Sequence, residues 1–308
     1  MTFAPVTQAL ALFFLAGPTP EQRAVDYLVQ EVPRWSRENH CFSCHNNGDA
    51  ARALFAARQA GYRVPDAALA DTTGWLLQPD RWDEVRGNPA ASDKKLARIQ
   101  FAAALAEAWR AGVTRDHTVI LRAAEPLLKL QEADGSWLGA WVVDTGGLPG
   151  APATYGAALA TYLARRTLET AGAYRFRAAI SRANRWFAAT QPANLLDAAA
   201  MLLAMPRSEE VRSKCLPMLL ASQTSDGGWG PQPHVPAEAF DTAVVILALR
   251  AAGDGVIGYT GPIARARAFL IGSQEASGGW PETTRPSGGT SYAERISTAA
   301  WVVLALLE

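Results

Sequence analysis

Six apolar segments end in glutamine, at Gln30, Gln78, Gln131, Gln191, Gln223 and Gln274, and this recurrence constrains the fold more than any other feature of the chain. Successive glutamines are 48, 53, 60, 32 and 51 residues apart, which suits a helix, a loop and a second helix per interval. Three segments continue into the same loop: Gln131-Glu-Ala-Asp-Gly-Ser-Trp137, Gln223-Thr-Ser-Asp-Gly-Gly-Trp229 and Gln274-Glu-Ala-Ser-Gly-Gly-Trp280. Gly135, Gly227 and Gly278 stand at equivalent places, where a chain leaving a helix needs a left-handed residue. The tryptophan offers a broad apolar face to cover the glutamine amide and anchor the loop. The repeating unit is therefore a helical hairpin.

The second helix of each hairpin is richer in alanine than the first, as in Ala153-Thr-Tyr-Gly-Ala-Ala-Leu-Ala160, Phe240-Asp-Thr-Ala-Val-Val-Ile-Leu-Ala-Leu249 and Ile296-Ser-Thr-Ala-Ala-Trp-Val-Val303 and beyond. A helix that is apolar nearly all round must be covered on both sides, so the second helices form an inner ring and the first helices an outer one. The expected fold is all-α: a double-walled α/α toroid of six hairpins, one domain over residues 19–308. Thr19-Pro20-Glu21-Gln22 carries the hydroxyl, the first-turn proline and the following glutamine that open a helix. With 49% apolar residues among 308, the chain has enough material for such a core.

These Gln-to-Trp loops, together with the steps Thr242-Ala243 and Thr298-Ala299, resemble the repeats of the squalene-cyclase and prenyltransferase families. The resemblance implies the toroid and, by extension, a cyclase or transferase acting on an isoprenoid. The family's chemistry does not carry over residue by residue. There is no D-x-D-D acid motif and no D-D-x-x-D magnesium motif; the nearest string, Asp80-Arg-Trp-Asp83, reads as a solvated loop. No cysteine has an aspartate two residues before it, as a prenyltransferase zinc site requires. Asp134 and Asp226 belong to the repeat loops. Asp241 reads as an N-terminal cap, and Lys94, Arg98, Tyr155, Asp197 and Glu238, near the cavity rim, read as ordinary surface or cap residues.

The first hairpin carries instead His40-Cys41-Phe-Ser-Cys44-His45, followed by Asn46-Asn-Gly-Asp49. C-x-x-C-H resembles the haem c attachment motif. Two thiols three residues apart can meet the two vinyl groups of one porphyrin while the adjacent imidazole reaches the iron, so Cys41 and Cys44 become covalent anchors and His45 the iron ligand. Two of three cysteines and one of four histidines fall in this segment. Zinc and a redox-active C-x-x-C are the alternatives; zinc needs further ligands, and no βαβ pattern surrounds the motif. His234, in the proline-rich loop Gly230-Pro-Gln-Pro-His-Val-Pro236 on the same rim, is the candidate second iron ligand. Cys215, in an apolar run, reads as a small buried hydrophobe.

Acidic and basic residues balance at 29 each, which argues against nucleic acid or anionic lipid as partners. Residues 1–18 contain the apolar stretch Ala9–Ala16, read as an export signal or as an N-terminal helix on the ring; it is too short to span a bilayer comfortably. The combined expectation is an exported, periplasmic haem c protein with a dry apolar cavity, serving electron transfer, with a redox partner protein, or oxidation of a hydrophobic small molecule. The alternatives are a terpenoid cyclase or transferase and a non-catalytic interaction scaffold.

Overall fold

A computed structural model describes residues 17–84, 94–137, 155–253, 259–282 and 291–307. The segments Ala9–Ala16 and Ala153-Thr154 lie outside the described residues. Twelve α-helices are present among those described, in outer and inner pairs. The outer helices are α1 (Pro20–Asn39), α3 (Asp66–Leu76), α5 (His117–Leu130), α7 (Arg177–Ala189), α9 (Glu209–Ala221) and α11 (Thr260–Gly272). The inner helices are α2 (Ala51–Gln59), α4 (Lys94–Arg110), α6 (Gly156–Ala171), α8 (Leu195–Ala204), α10 (Ala239–Ala252) and α12 (Tyr292–Leu306). A π-helical turn, Cys44–Ala50, leads into α2.

Each inner helix packs on the next, α2 on α4, α4 on α6, α6 on α8, α8 on α10 and α10 on α12, and α12 returns to α2. The toroid is closed. Burial follows the expected division: in α10 and α12 nearly every side chain is covered, whereas α7 and α11 bury only one stripe. α1 begins as its sequence predicts, with Thr19 Oγ1 accepting from Gln22 N at 3.2 Å and Pro20 in the first turn.

The glutamines do more than end their helices. Three of the amides stitch their own loops to the next outer helix. Gln131 Nε2 donates to the carbonyls of Gly135 and Ala179, Gln223 Nε2 to those of Gly227 and Pro262, and Gln274 Nε2 to those of Gly278 and Pro20. The tryptophans are anchored separately. Trp137, Trp229 and Trp280 are fully buried, and their Nε1 atoms donate to the carbonyls of Leu127, Leu219 and Leu270 at 2.7–2.8 Å. The inner-helix threonines close the device, since Thr161 and Thr242 Oγ1 accept from the backbone N–H of Trp137 and Trp229.

Gly278 meets two demands at once. Its φ is +90°, and a Cβ there would lie 2.4 Å from the carbonyl oxygen of Arg23 on α1. Gln30, by contrast, does not end a helix: α1 continues nine residues further to Asn39, because no glycine follows it.

Candidate functional site

The inner helix of the first hairpin is entered through a turn whose polar side chains Asn46, Asn47 and Asp49 are buried, and this turn brings the C-x-x-C-H segment against the ring. Ser43 is the cap of the π-helical turn, its hydroxyl accepting from the N–H groups of His45 and Asn46. Asn46 Nδ2 donates to the carbonyl of Glu31 on α1 and to Tyr292 Oη on α12, both at 2.8 Å. Asn47 Nδ2 donates to Thr72 Oγ1 on α3 at 2.8 Å, and its Oδ1 accepts from Ser43 N. Gly48 lets the turn approach α4 closely, since a Cβ would lie 3.0 Å from that of Gln100. The motif is thus not the open loop that the sequence suggests. Its second half is a turn wedged among α1, α3, α4 and α12.

Asp49 stands at the centre of this arrangement and is 1% exposed. Its Oδ2 accepts from Ser297 Oγ at 2.9 Å and Gln100 Nε2 at 2.8 Å, and its Oδ1 from Tyr155 Oη at 2.8 Å. Burial and the neighbouring Asp49 hold the Tyr155 hydroxyl well above its ordinary pKa, so it remains a donor.

His45 Nδ1 lies 2.9 Å from Ser297 Oγ. A serine hydroxyl has one proton, and Ser297 gives it to Asp49. The Nδ1–H of His45 must therefore be the donor in the remaining contact, which makes Nε2 the unprotonated nitrogen of the neutral ring. Desolvation pushes the imidazole pKa below its ordinary value, only partly opposed by Asp49, so the neutral ring is the favoured form near pH 7. No described residue hydrogen-bonds Nε2.

Cys41 and Cys44 are both half-buried, and neither is in a disulfide. Cys41 borders an outer groove with Phe42, whose ring stacks on Trp75 at 4.6 Å, whereas His45 faces α12. His234 is exposed at φ 66° in its loop, and the turn carrying His45 packs on α1, α2, α4 and α12. Among the described residues no group of three or more His, Cys, Asp or Glu side chains is placed to hold a metal ion.

Of the rim residues singled out in sequence, only Tyr155 joins the cluster. Arg98 pairs with Asp83, and Asp80 with Arg122. Asp197 and the cap Asn194 bond each other at the start of α8. Asp241 is not a cap; Glu238 holds that position, and Asp241 is fully buried in the first turn of α10. Asp49, Gln100 and Ser297 were missed in sequence. Their signal is a polar side chain within an inner segment that is otherwise apolar all round.

The cavity is also not the apolar chamber expected. A space of about 520 Å³ opens among the inner helices, and Arg52, Arg110, Arg166 and Arg250 line it beside leucines and alanines.

No protein-family model matches the chain, and no curated protein matches it in sequence. Solved structures similar to it include a glycosidase variant, 13% identical over 93% of this chain and 96% of that one, with a TM-score of 0.60. A protein from Actinoplanes is 16% identical over 93% and 97% of the two chains, with a TM-score of 0.54. The type II terpene cyclase MstE from Scytonema is 14% identical over 94% and 98%, with a TM-score of 0.42, too low to bear on the comparison. At these identities the first two likenesses establish one thing, that the chain has the α/α toroid fold.

Proposed function

We propose that this toroid is a haem c protein, with the porphyrin attached through Cys41 and Cys44 and its iron bound by His45 Nε2. The single observation that carries this reading is the state of His45: its Nδ1–H is held by Ser297 and Asp49, and its Nε2 lone pair has no partner among the described residues. A ligating histidine characteristically donates its other ring N–H to a fixed acceptor, which sets the tautomer and raises ligand basicity. The two half-buried thiols, neither in a disulfide, and this imidazole supply the donor set.

When bound, the group would supply one-electron chemistry. The chain's own residues orient the ligand: Asn46 and Asn47 pin the turn to α1, α3 and α12, while Gln100 and Tyr155 hold Asp49 so that Ser297 keeps one orientation. Electron exchange with a partner protein or oxidation of a small molecule, after export to the periplasm, belongs to the same proposal. His234 is the sequence's candidate for the second axial position; if it binds, His234→Ala converts a low-spin spectrum to a high-spin one.

The test is expression with a haem c maturation system, followed by a pyridine haemochrome spectrum of the denatured protein. Covalent haem should survive denaturation in the wild type and lose thioether linkages in Cys41→Ala and Cys44→Ala. A colourless denatured protein would refute the reading and leave a haem-free enzyme of the terpenoid-cyclase type as the alternative, to be assayed by turnover of isoprenoid substrates.

A further inference from the structure

Arg52 lies one helical turn after Asp49 and is 6% exposed, yet among the described residues it has no hydrogen-bond or ion-pair partner. Its guanidinium sits over the ring of the buried Trp301, 4.2 Å from the centroid, and its Nε and Nη2 are buried without a partner. Arginine stays protonated in proteins, and a buried cation with no counter-charge is costly. Trp301 offsets only part of that cost through a cation–π contact.

Arg52 and Trp301 both line the 520 Å³ cavity. The exposed Arg166 and Gln59 border the same space, so it communicates with solvent. Three more arginines line it, Arg110, Arg166 and Arg250, and among the described lining residues the one carboxylate is Glu107, which is paired with Arg110 at 2.7 Å. Arg166 donates to Tyr162 Oη, and Arg250 to the carbonyl of Ala305. The remaining wall is apolar, including Leu163, Leu203, Leu247 and Leu304. The volume suits a small organic molecule.

We infer that this cavity binds an organic anion with an apolar body, its oxyanion head held by Arg52. A free guanidinium fork matches a carboxylate or a phosphate bidentately, and the leucine and alanine wall takes the hydrocarbon. The inference does not depend on haem, because Cys41, Cys44 and His45 do not line this cavity.

Octanoate, octyl phosphate and octanol, titrated by calorimetry into the full chain, test it. One or both anions should bind, octanol at least tenfold more weakly, and Arg52→Gln should weaken the anion roughly tenfold or more through loss of a charge-assisted pair. Arg166→Gln, at the exposed mouth, should weaken it less and serves as a folded control. Arg52→Met should raise the thermal midpoint without ligand, because it removes an unpaired buried charge. Binding of octanol as tight as octanoate, no binding of either anion, or undiminished anion affinity in folded Arg52→Gln would each overturn the assignment. None of these outcomes bears on the haemochrome result.

Discussion

Gln274 Nε2 donates to the backbone carbonyl of Pro20 at 2.9 Å, across 254 positions of sequence, and this bond joins the last repeat loop to the first turn of the first outer helix. The same amide donates to Gly278 O at 3.0 Å, and Arg23 of α1 reaches back to Gln274 Oε1. One side chain thus completes at the seam what Gln131 and Gln223 do between neighbouring repeats.

Gln274→Ala removes this stitch and leaves part-buried acceptors unpaired, so it should lower stability by about 1–3 kcal/mol in urea denaturation. Gln30→Ala, at an exposed position in the middle of α1 with no such bond, should change it by less than about 0.5 kcal/mol. Equal effects at the two sites would show that the glutamine recurrence has no structural role at the seam.

Trp229 is fully buried and donates to Leu219 O at 2.7 Å. Its replacement by alanine should cost about 3–5 kcal/mol, the usual range for deleting a large core aromatic. A loss below about 1 kcal/mol would mean that the loop is not anchored by its indole.

Ser297→Ala leaves His45 Nδ1 and one Asp49 acceptor site without the hydroxyl between them. In protein carrying haem, the thioether bonds should persist in the haemochrome assay, while the midpoint potential and the low-spin or high-spin character shift because the ligand has lost its orienting partner. Ser297→Thr, which keeps the hydroxyl, should restore the wild-type spectrum. Unchanged potential and spectrum in the alanine variant would count against His45 as the iron ligand.

Cys215 is buried, and desolvation pushes its thiol from 9.0 to about 11. In protein without haem at pH 8, a thiol reagent should label Cys41 and Cys44 in the native state and Cys215 only after unfolding. The folded chain holds the Cys215 proton to higher pH than the unfolded chain does. Its contribution to stability is therefore complete below pH 9 and is lost as pH rises towards 11, on the order of 2 kcal/mol. Cys215→Ala should flatten that part of the pH profile, measured by urea denaturation at pH 8.5 and 10.5.

The repeat unit, the inner and outer assignment and the toroid were legible in the sequence because they rest on local patterns: apolar segments at helical length, glycine after glutamine, and alanine-rich second helices. The C-x-x-C-H segment was legible for the same reason, since its chemistry resides in five consecutive residues. What Gln131, Gln223 and Gln274 bond to was not, because each partner lies on another hairpin.

The state of His45 was decided by tertiary structure alone. Ser297 is 252 positions away, Gln100 is 51 from Asp49, and Tyr155 is 106 from it; only ring closure brings α4, α6 and α12 around one carboxylate. Arg52 tells the same story in reverse. In sequence it is one arginine among many, and only the closed inner ring places Trp301 beneath it and buries its Nε and Nη2 without a partner among the described residues. Hairpin geometry follows from neighbours along the chain, whereas the charge and tautomer of a buried group depend on everything the fold packs around it.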